Sequence, residues 1–376
     1  MLIQCTKRML DQLKLQPEPR LDENPLFSWH ANQVTLHDRK KIVLMNDNMR
    51  YIIVLDNLNT KDFSQMSEWI HQAIRDVLLH EGIKEEIVER YLHDAGDIIF
   101  TKTKDRSHVA KLNSAVRETE MLGHRRDMIG RINEELSMKV SRFLVSDGSG
   151  DYIYPHEKMY QKLGVTYGED LFRTKAAEIK VTLMLEDVQV YRQLIVPLNR
   201  TFSQFHEILQ TAFNWMDYHL HEFYILDGTK AGRETDWNDP AFTNEGYQPV
   251  LNLVSDEEAF NYPGDIEMKL DQGMKLSDFI PDYKQLIYHY DFGDSWRHKI
   301  EVIQMIDGYD RNHPLCTDGA GAAPPEDVGG EGGYHEFLRV MNKPDDPAYG
   351  YMKRWVVTQG YAAFDKEEVN WRLRRR

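Results

Sequence analysis

The sequence predicts an α+β protein of two domains, each a mainly antiparallel sheet covered by helices. Three observations carry this reading. The chain has 376 residues, more than one average core organises. Short runs with period-two alternation recur in both halves, bounded by Asn, Asp, Gly and Pro. Between them lie longer runs whose apolar residues return every three or four positions, the spacing of a helix with one buried face.

Residues 1–145 read as the first domain, closed by a trailing helix. An amphipathic helix over Thr6–Lys14 stops at the segment holding Pro17 and Pro19. Strands follow at Gln33–Leu36, Lys41–Met45 and Arg50–Leu55, the last two joined by the turn Asn46-Asp47-Asn48. Phe63–His80 places Met66, Trp69, Ile70, Ala73, Ile74, Val77 and Leu78 on one helical stripe. Glu85–His93 repeats that pattern, and Ile98–Thr101 reads as a closing strand. Residues 113–146 read as mostly helical, with Ile129, Ile132, Leu136 and Val140 inward, Gly123 and Gly130 as breaks, and Arg125-Arg126 on a solvated face. Residues 146–178 turn to Asp, Gly, Tyr and Lys, which predicts a linker.

The second domain, 179–376, opens on a hairpin of Ile179–Leu185 and Val190–Val196, ended by Pro197. Thr201 with Gln204 three residues on predicts a capped helix whose stripe, Phe202 to Phe213, covers the hairpin. His219–Leu226 reads as a strand with His219, His221, Phe223 and Ile225 on one face. Residues 234–268 hold nine Asp or Glu and no Lys or Arg, an acidic excursion without the spacing of a calcium loop. Leu286–Asp291 and Trp296–Met305 form a second hairpin turning at Gly293, and a helix starts near Tyr334.

Composition excludes several classes. An apolar fraction of 41% with 11% aromatics fits a folded chain. No apolar run approaches the roughly 20 residues that cross a bilayer, and Met1–Arg8 lacks the h-region of a secretion signal. The only cysteines, Cys5 and Cys316, fall in different domains, which favours reduced thiols and a cytoplasmic setting and leaves no Cys-based zinc site. A net charge of −15 disfavours a nucleic acid partner, with the terminal Arg372–Arg376 run as a local exception.

Three segments can carry chemistry. In Tyr288–His298, Asp291 and Asp294 flank Gly293, and His298 sits among Trp296, Ile300 and Val302. A carboxylate beside that imidazole serves a general base, a metal site or a structural hydrogen bond. His219 and His221, two apart in a strand, project to one side as a metal pair would, with Asp217 as a further oxygen. Their alternative role is to line the rim of an apolar sheet face. The loop Cys316–Tyr334 has six glycines, Pro324-Pro325 and the acids Asp318, Glu326, Asp327 and Glu331. Those acids repel a phosphate unless a divalent cation intervenes, and they serve equally to bond loop amides. No serine has a nucleophile-elbow context, so acyl transfer is disfavoured.

These segments together resemble the plasmid pRiA4b ORF-3-like family, described as transposon passenger proteins. The matching residues are Phe213-Asn214-Trp215 with His219-Leu220-His221-Glu222-Phe223, then Tyr290 to His298, then Pro324 to Gly330 with Gly333-Tyr334. The likeness spans about 180–370. The first domain resembles a small uncharacterised domain of bacterial and phage proteins, through Ile3–Lys7, Trp29–Asn32, Met45–Asp47 and Thr101–Thr103 with Arg106. The resemblance implies an α+β fold and a bacterial mobile-element or phage setting, and supplies no reaction.

Two functions follow. One is a non-enzymatic binding or regulatory protein of a mobile-element, phage or defence context, with a protein or small-molecule ligand and no membrane; here no metal binds tightly, and His298 and Asp291 are buried and mutually satisfied. The other is a metal-dependent hydrolase of a nucleotide or nucleic acid. It would hold zinc or manganese with His219, His221, Asp291, Asp294 and His298, and Asp294, His298, Glu326 and Asp327 are its candidate catalytic groups.

Overall fold

The computed structural model describes residues 1–19, 21, 24–36, 39–59, 61–122, 130–148, 150–168, 170–230, 247–262, 264 and 266–375. Gly123, Arg125-Arg126, Ile129, much of the acidic excursion and Arg376 therefore lie outside the described residues. The chain divides into two compact units, Met1–Arg173 and Thr174–Arg376.

Unit 1 runs β1 (Leu2–Cys5), α1 (Lys7–Leu13), β2 (Ser28–Leu36), β3 (Arg39–Asn46), β4 (Ile52–Leu55), α2 (Met66–His80), α3 (Glu85–Ala95), β5 (Ile99–Lys102), α4 (Arg106–Leu122), α5 (Glu134–Ser141), β6 (Val145–Ser146), β7 (Tyr152–Ile153) and α6 (Pro155–Tyr167). Five strands pair in the order β4-β3-β2-β1-β5. The β2–β3 and β3–β4 pairs are antiparallel, whereas β1 runs parallel to both neighbours, so this sheet is mixed. Alternation along the strands feeds two cores. Ile3, Trp29, Leu44 and Ile53 pack under α1, α2, α3 and α6, while Val43, Met45, Ile52 and Val54 pack under α4 and α5.

The edge strand β4 is closed by side chains of α5. Ser141 Oγ and Ser137 Oγ accept the Ile52 and Val54 N–H groups at 2.9 Å each. These are one helical turn apart, so one face of α5 supplies the hydrogen bonds a sixth strand would have made.

The stretch expected to be a linker is structured. Pro155 sits in the first turn of α6, where a missing N–H costs nothing, and Met159 and Leu163 enter the unit 1 core. The boundary falls between Arg173 and Thr174, inside the 146–178 stretch read as the linker.

Unit 2 runs β8 (Thr174–Leu183), β9 (Val190–Pro197), α7 (Phe202–Phe213), β10 (His221–Lys230), β11 (Tyr247–Val254), β12 (Met268–Leu270), β13 (Gln285–Tyr290), β14 (Trp296–Tyr309), β15 (Leu315–Ala320), α8 (Gly330–Met341), α9 (Tyr349–Thr358) and α10 (Lys366–Leu373). The sheet order is β12-β11-β10-β13-β14-β8-β9-β15, antiparallel except for β11 with β12. The α+β class with two domains is thus the observed one.

One face of this sheet packs on α7. That helix starts at a capping box in which Thr201 Oγ accepts from Gln204 N–H and Gln204 Oε1 accepts from Thr201 N–H. Arg192 lies on the apolar face of β9 because its guanidinium donates to the carbonyls of Ala212, Ala320 and Gly321, at 2.8–3.0 Å. It thereby fastens the end of α7 to the loop after β15. Cys5 and Cys316 are free, buried thiols. Among the described residues no helix is long and apolar enough to cross a membrane.

Candidate functional site at the motif junction

The three motifs meet at one end of the unit 2 sheet. The first follows α7, where Asn214 and Asp217 take positive φ and turn the chain towards β10. Trp215 Nε1 donates to Pro324 O at 2.8 Å, joining the first motif to the third. Met216 N–H and the Tyr290 hydroxyl both donate to Glu326 Oε1, at 2.8 and 3.0 Å. Tyr290 OH also accepts from Tyr218 N–H at 3.1 Å. Glu326 is fully buried, and one of its oxygens therefore binds all three segments together. Burial pushes its pKa above the usual carboxylate value, outweighing the two donated hydrogen bonds.

The second motif supplies the turn between β13 and β14. Asp291, at φ 54°, accepts from Gly293 and Asp294 N–H on Oδ1, at 3.0 and 3.3 Å. Asp294 Oδ2 accepts Gly329 N–H at 3.1 Å, so the turn is pinned to the glycine loop. The loop glycines have packing reasons. A Cβ on Gly333 would lie 1.9 Å from Val328 O, and Gly330, at φ 67°, rests against the backbone of Asp294.

At the rim of this junction His219 Nε2 lies 3.0 Å from Asp327 Oδ1 and 3.5 Å from Asp291 Oδ2. The three donor atoms lie within 4.8 Å of one another. Asp291 is buried, His219 partly exposed and Asp327 exposed.

The other predicted ligands go elsewhere. His219 precedes β10 rather than lying within it, so the two-residue spacing does not put its ring beside that of His221. His221 is buried, faces Asp271 Oδ2 at 2.8 Å and stacks on His206 with ring centres 3.5 Å apart. Asp217 meets His206 Nε2 at 2.7 Å. His298 is fully buried among Phe213, Trp215 and Tyr288, with Nδ1 3.3 Å from Tyr288 O. Burial pulls its pKa down to about 3, which makes it a neutral core residue. Asp291 and His298 are both buried, but Asp291 Oδ1 serves the turn amides, while His298 Nδ1 faces Tyr288 O and its Nε2 has no hydrogen-bond partner among the described residues. Asp294 serves the loop backbone.

Sequence reasoning missed His206 and Asp271. His206 carries no signal beyond its place in α7, and Asp271 lies just past the acidic excursion of 234–268, in a stretch to which no motif draws attention.

The net charge is unevenly shared. Residues 1–173 hold 25 Lys and Arg against 27 Asp and Glu, leaving −13 of the −15 on unit 2. Unit 1 also has an open cleft of about 600 Å³ lined by Lys7, Arg8, Lys14 and Lys40, with Asp11 among them. The charge argument against nucleic acid therefore bears on unit 2 more than on unit 1.

Known proteins resemble both parts of the chain. A family model described as a domain of unknown function, DUF6933, matches residues 2–158. An uncharacterised protein, y4hQ, of Sinorhizobium fredii is 28% identical over 194 residues, covering 51% of this chain and 87% of the relative. The crystal structure of MM3350 from Methanosarcina mazei Go1, a protein of unknown function, is 27% identical over 52% of this chain and 97% of its own, with a TM-score of 0.40. The model of the plasmid pRiA4b ORF-3-like protein family matches residues 175–372, over half the chain and all three converging motifs, and the chain belongs to that family.

Proposed function

We propose that this chain is a binding or regulatory protein whose C-terminal unit takes a divalent cation, zinc or manganese, at the motif junction. The donor set His219, Asp291 and Asp327 carries this reading. Ligand bonds of about 2.0–2.2 Å put the donor atoms of a tetrahedral zinc site about 3.3 Å apart. The two separations from His219, 3.0 and 3.5 Å, bracket that value. Asp291 spends Oδ1 on the turn and keeps Oδ2 towards the histidine. With Asp327 exposed, the remaining coordination position faces solvent, where a ligand group from a protein or small molecule can enter. The name of the family refers to a plasmid, which supports a mobile-element setting.

The test is zinc and manganese titration with elemental mass spectrometry on the wild type, His219→Ala, Asp327→Asn and His221→Ala. One equivalent is expected, lost in the first two variants and kept in His221→Ala, whose ring is held by Asp271. No uptake, or uptake indifferent to His219, overturns the reading.

Metal-dependent hydrolysis of a phosphate ester is a second reading, favoured by Glu326, a buried carboxyl next in sequence to Asp327 of the donor set. It ranks second because Glu326 Oε1 is already engaged by Met216 and Tyr290. Turnover of bis(p-nitrophenyl) phosphate by the metal-loaded wild type, lost in Glu326→Gln with cation retained, would promote it.

A further inference from the structure

The face of β10 and β13 that turns away from α7 carries a second polar group, which the cation reading does not use. Glu222 on β10 and His289 on β13 are in direct register there, one residue out of phase with the core-facing Phe223 and Tyr288. His289 Nδ1 lies 3.0 Å from Glu222 Oε1, and its Nε2 lies 3.1 Å from Ser295 Oγ. Glu222 is itself held: Asn252 Nδ2 donates to Oε2 at 2.8 Å and the Tyr224 hydroxyl to Oε1 at 3.0 Å. Burial raises its pKa, but the bonds from His289, Asn252 and Tyr224 outweigh that and keep the carboxyl below its usual value. A charged Glu222 can only accept. The imidazole proton therefore sits on Nδ1, and Nε2 is left to accept the Ser295 O–H.

Ser295 completes the arrangement. It stands at φ 60° in the β13–β14 turn, a left-handed conformation that a serine adopts rarely and that occurs at functional sites when surrounding structure enforces it. The enforcement is visible, since Ser295 N–H donates to Asp291 O at 2.6 Å. The side chain is partly exposed, and Phe292, 50% exposed, holds its ring 5.0 Å from that of His289.

We propose that Ser295, His289 and Glu222 form an acyl-transfer site for activated carboxylic esters whose apolar part packs on Phe292. Ser295 Oγ adds to the ester carbonyl carbon as its proton passes to His289 Nε2. Collapse of the adduct breaks the C–O bond, and the alcohol leaves with that proton. Water then gives a proton to the same nitrogen and its oxygen to the acyl carbon; the acyl C–Oγ bond breaks as the nitrogen returns that proton to Ser295 Oγ, releasing the acid. Glu222 is a positioning residue that fixes the tautomer. The inference goes beyond the cation reading and stands on different atoms.

The experiment is fluorophosphonate labelling of the full chain, read by intact mass and peptide mapping, beside hydrolysis of p-nitrophenyl butyrate, each with EDTA and with zinc. Ser295→Gly is the nucleophile variant, because glycine is at ease at this φ and the turn is kept. One adduct on Ser295 is expected, absent in Ser295→Gly. Labelling should slow about a hundredfold or more in His289→Ala, the scale of a lost general base. Glu222→Gln should slow labelling and Glu222→Asp should restore much of the rate, which a merely structural bond would not do. A wild type that takes no label and matches Ser295→Gly in ester hydrolysis overturns the proposal. So does an adduct at another residue, or labelling unaffected by His289→Ala.

Discussion

Removing the Glu326 carboxyl tests whether one buried oxygen holds the three motifs together. In Glu326→Ala the Met216 N–H and the Tyr290 O–H lose their shared acceptor inside the protein. An orphaned buried donor costs about 1–3 kcal/mol, so the variant should lose about 2–6 kcal/mol. Each kcal/mol moves the Tm of a domain this size by about 2–4 °C, so even the low end is a drop of about 4–8 °C. Glu326→Gln keeps an amide oxygen where Oε1 stands and removes the ionisable group. Because burial raises the folded-state pKa of Glu326, the folded chain holds this proton more tightly than the unfolded chain. Wild-type stability should therefore fall as pH rises from the ordinary value of about 4.5 through the raised one. The Gln variant should lack that slope and equal or exceed the wild type at pH 7. Urea unfolding followed by tryptophan fluorescence at several pH values measures both. Should Gln be as damaging as Ala, the negative charge would be the essential property and the acceptor account would fall. Should Ala unfold at the wild-type midpoint, the oxygen would not be holding the junction at all.

Two further outcomes follow from buried titratable groups. With a folded pKa of about 3, the His298 ring resonances in NMR should keep their neutral shifts from pH 8 down to about pH 4; a midpoint near 6 would place the ring in water. The sign for stability is the opposite of that for Glu326: the unfolded chain gains a proton below about 6.5 that the folded chain refuses, so stability is lost as pH falls towards 3. In unit 1, Glu81→Ala leaves Arg142, bonded to both Glu81 oxygens at 2.9 and 2.7 Å, and the Tyr51 hydroxyl without their partner. The loss should be about 3–5 kcal/mol in urea unfolding, against less than 1 kcal/mol for a typical exposed pair such as Arg75 with Glu85.

Local signals account for what the sequence revealed of the fold. The α7 stripe with its Thr201–Gln204 box and the β8–β9 hairpin are written in neighbouring residues. β1 escaped because it has four residues and both its partners are distant in sequence, so neither alternation nor a turn marks it. The stretch before unit 2 read as a linker from its composition, yet Pro155 opens a helix there. For the site, the sequence supplied residue types but not pairings. His219 meets Asp327 across 108 positions, and Glu222 meets His289 across 67. Ser295 was passed over because a nucleophile is usually sought between glycines. Here its positive φ comes from the bonds of Asp291, which no sequence pattern announces.

Asp291 lies between the two proposed sites and makes their separation testable. Its Oδ1 shapes the turn, its Oδ2 faces His219, and its carbonyl holds the amide of Ser295. Alanine there would disturb all three and decide nothing. Asparagine tolerates the left-handed φ of 54° and can keep an oxygen on the turn amides, while an NH2 replaces the anionic oxygen aimed at His219. Asp291→Asn should therefore lose cation uptake yet keep fluorophosphonate labelling of Ser295. Loss of both would mean that the cation, rather than the turn's own hydrogen bonds, sets the geometry of Ser295. Retention of both would remove Asp291 from the ligand set and leave His219 and Asp327 as the protein groups of that set still holding the cation.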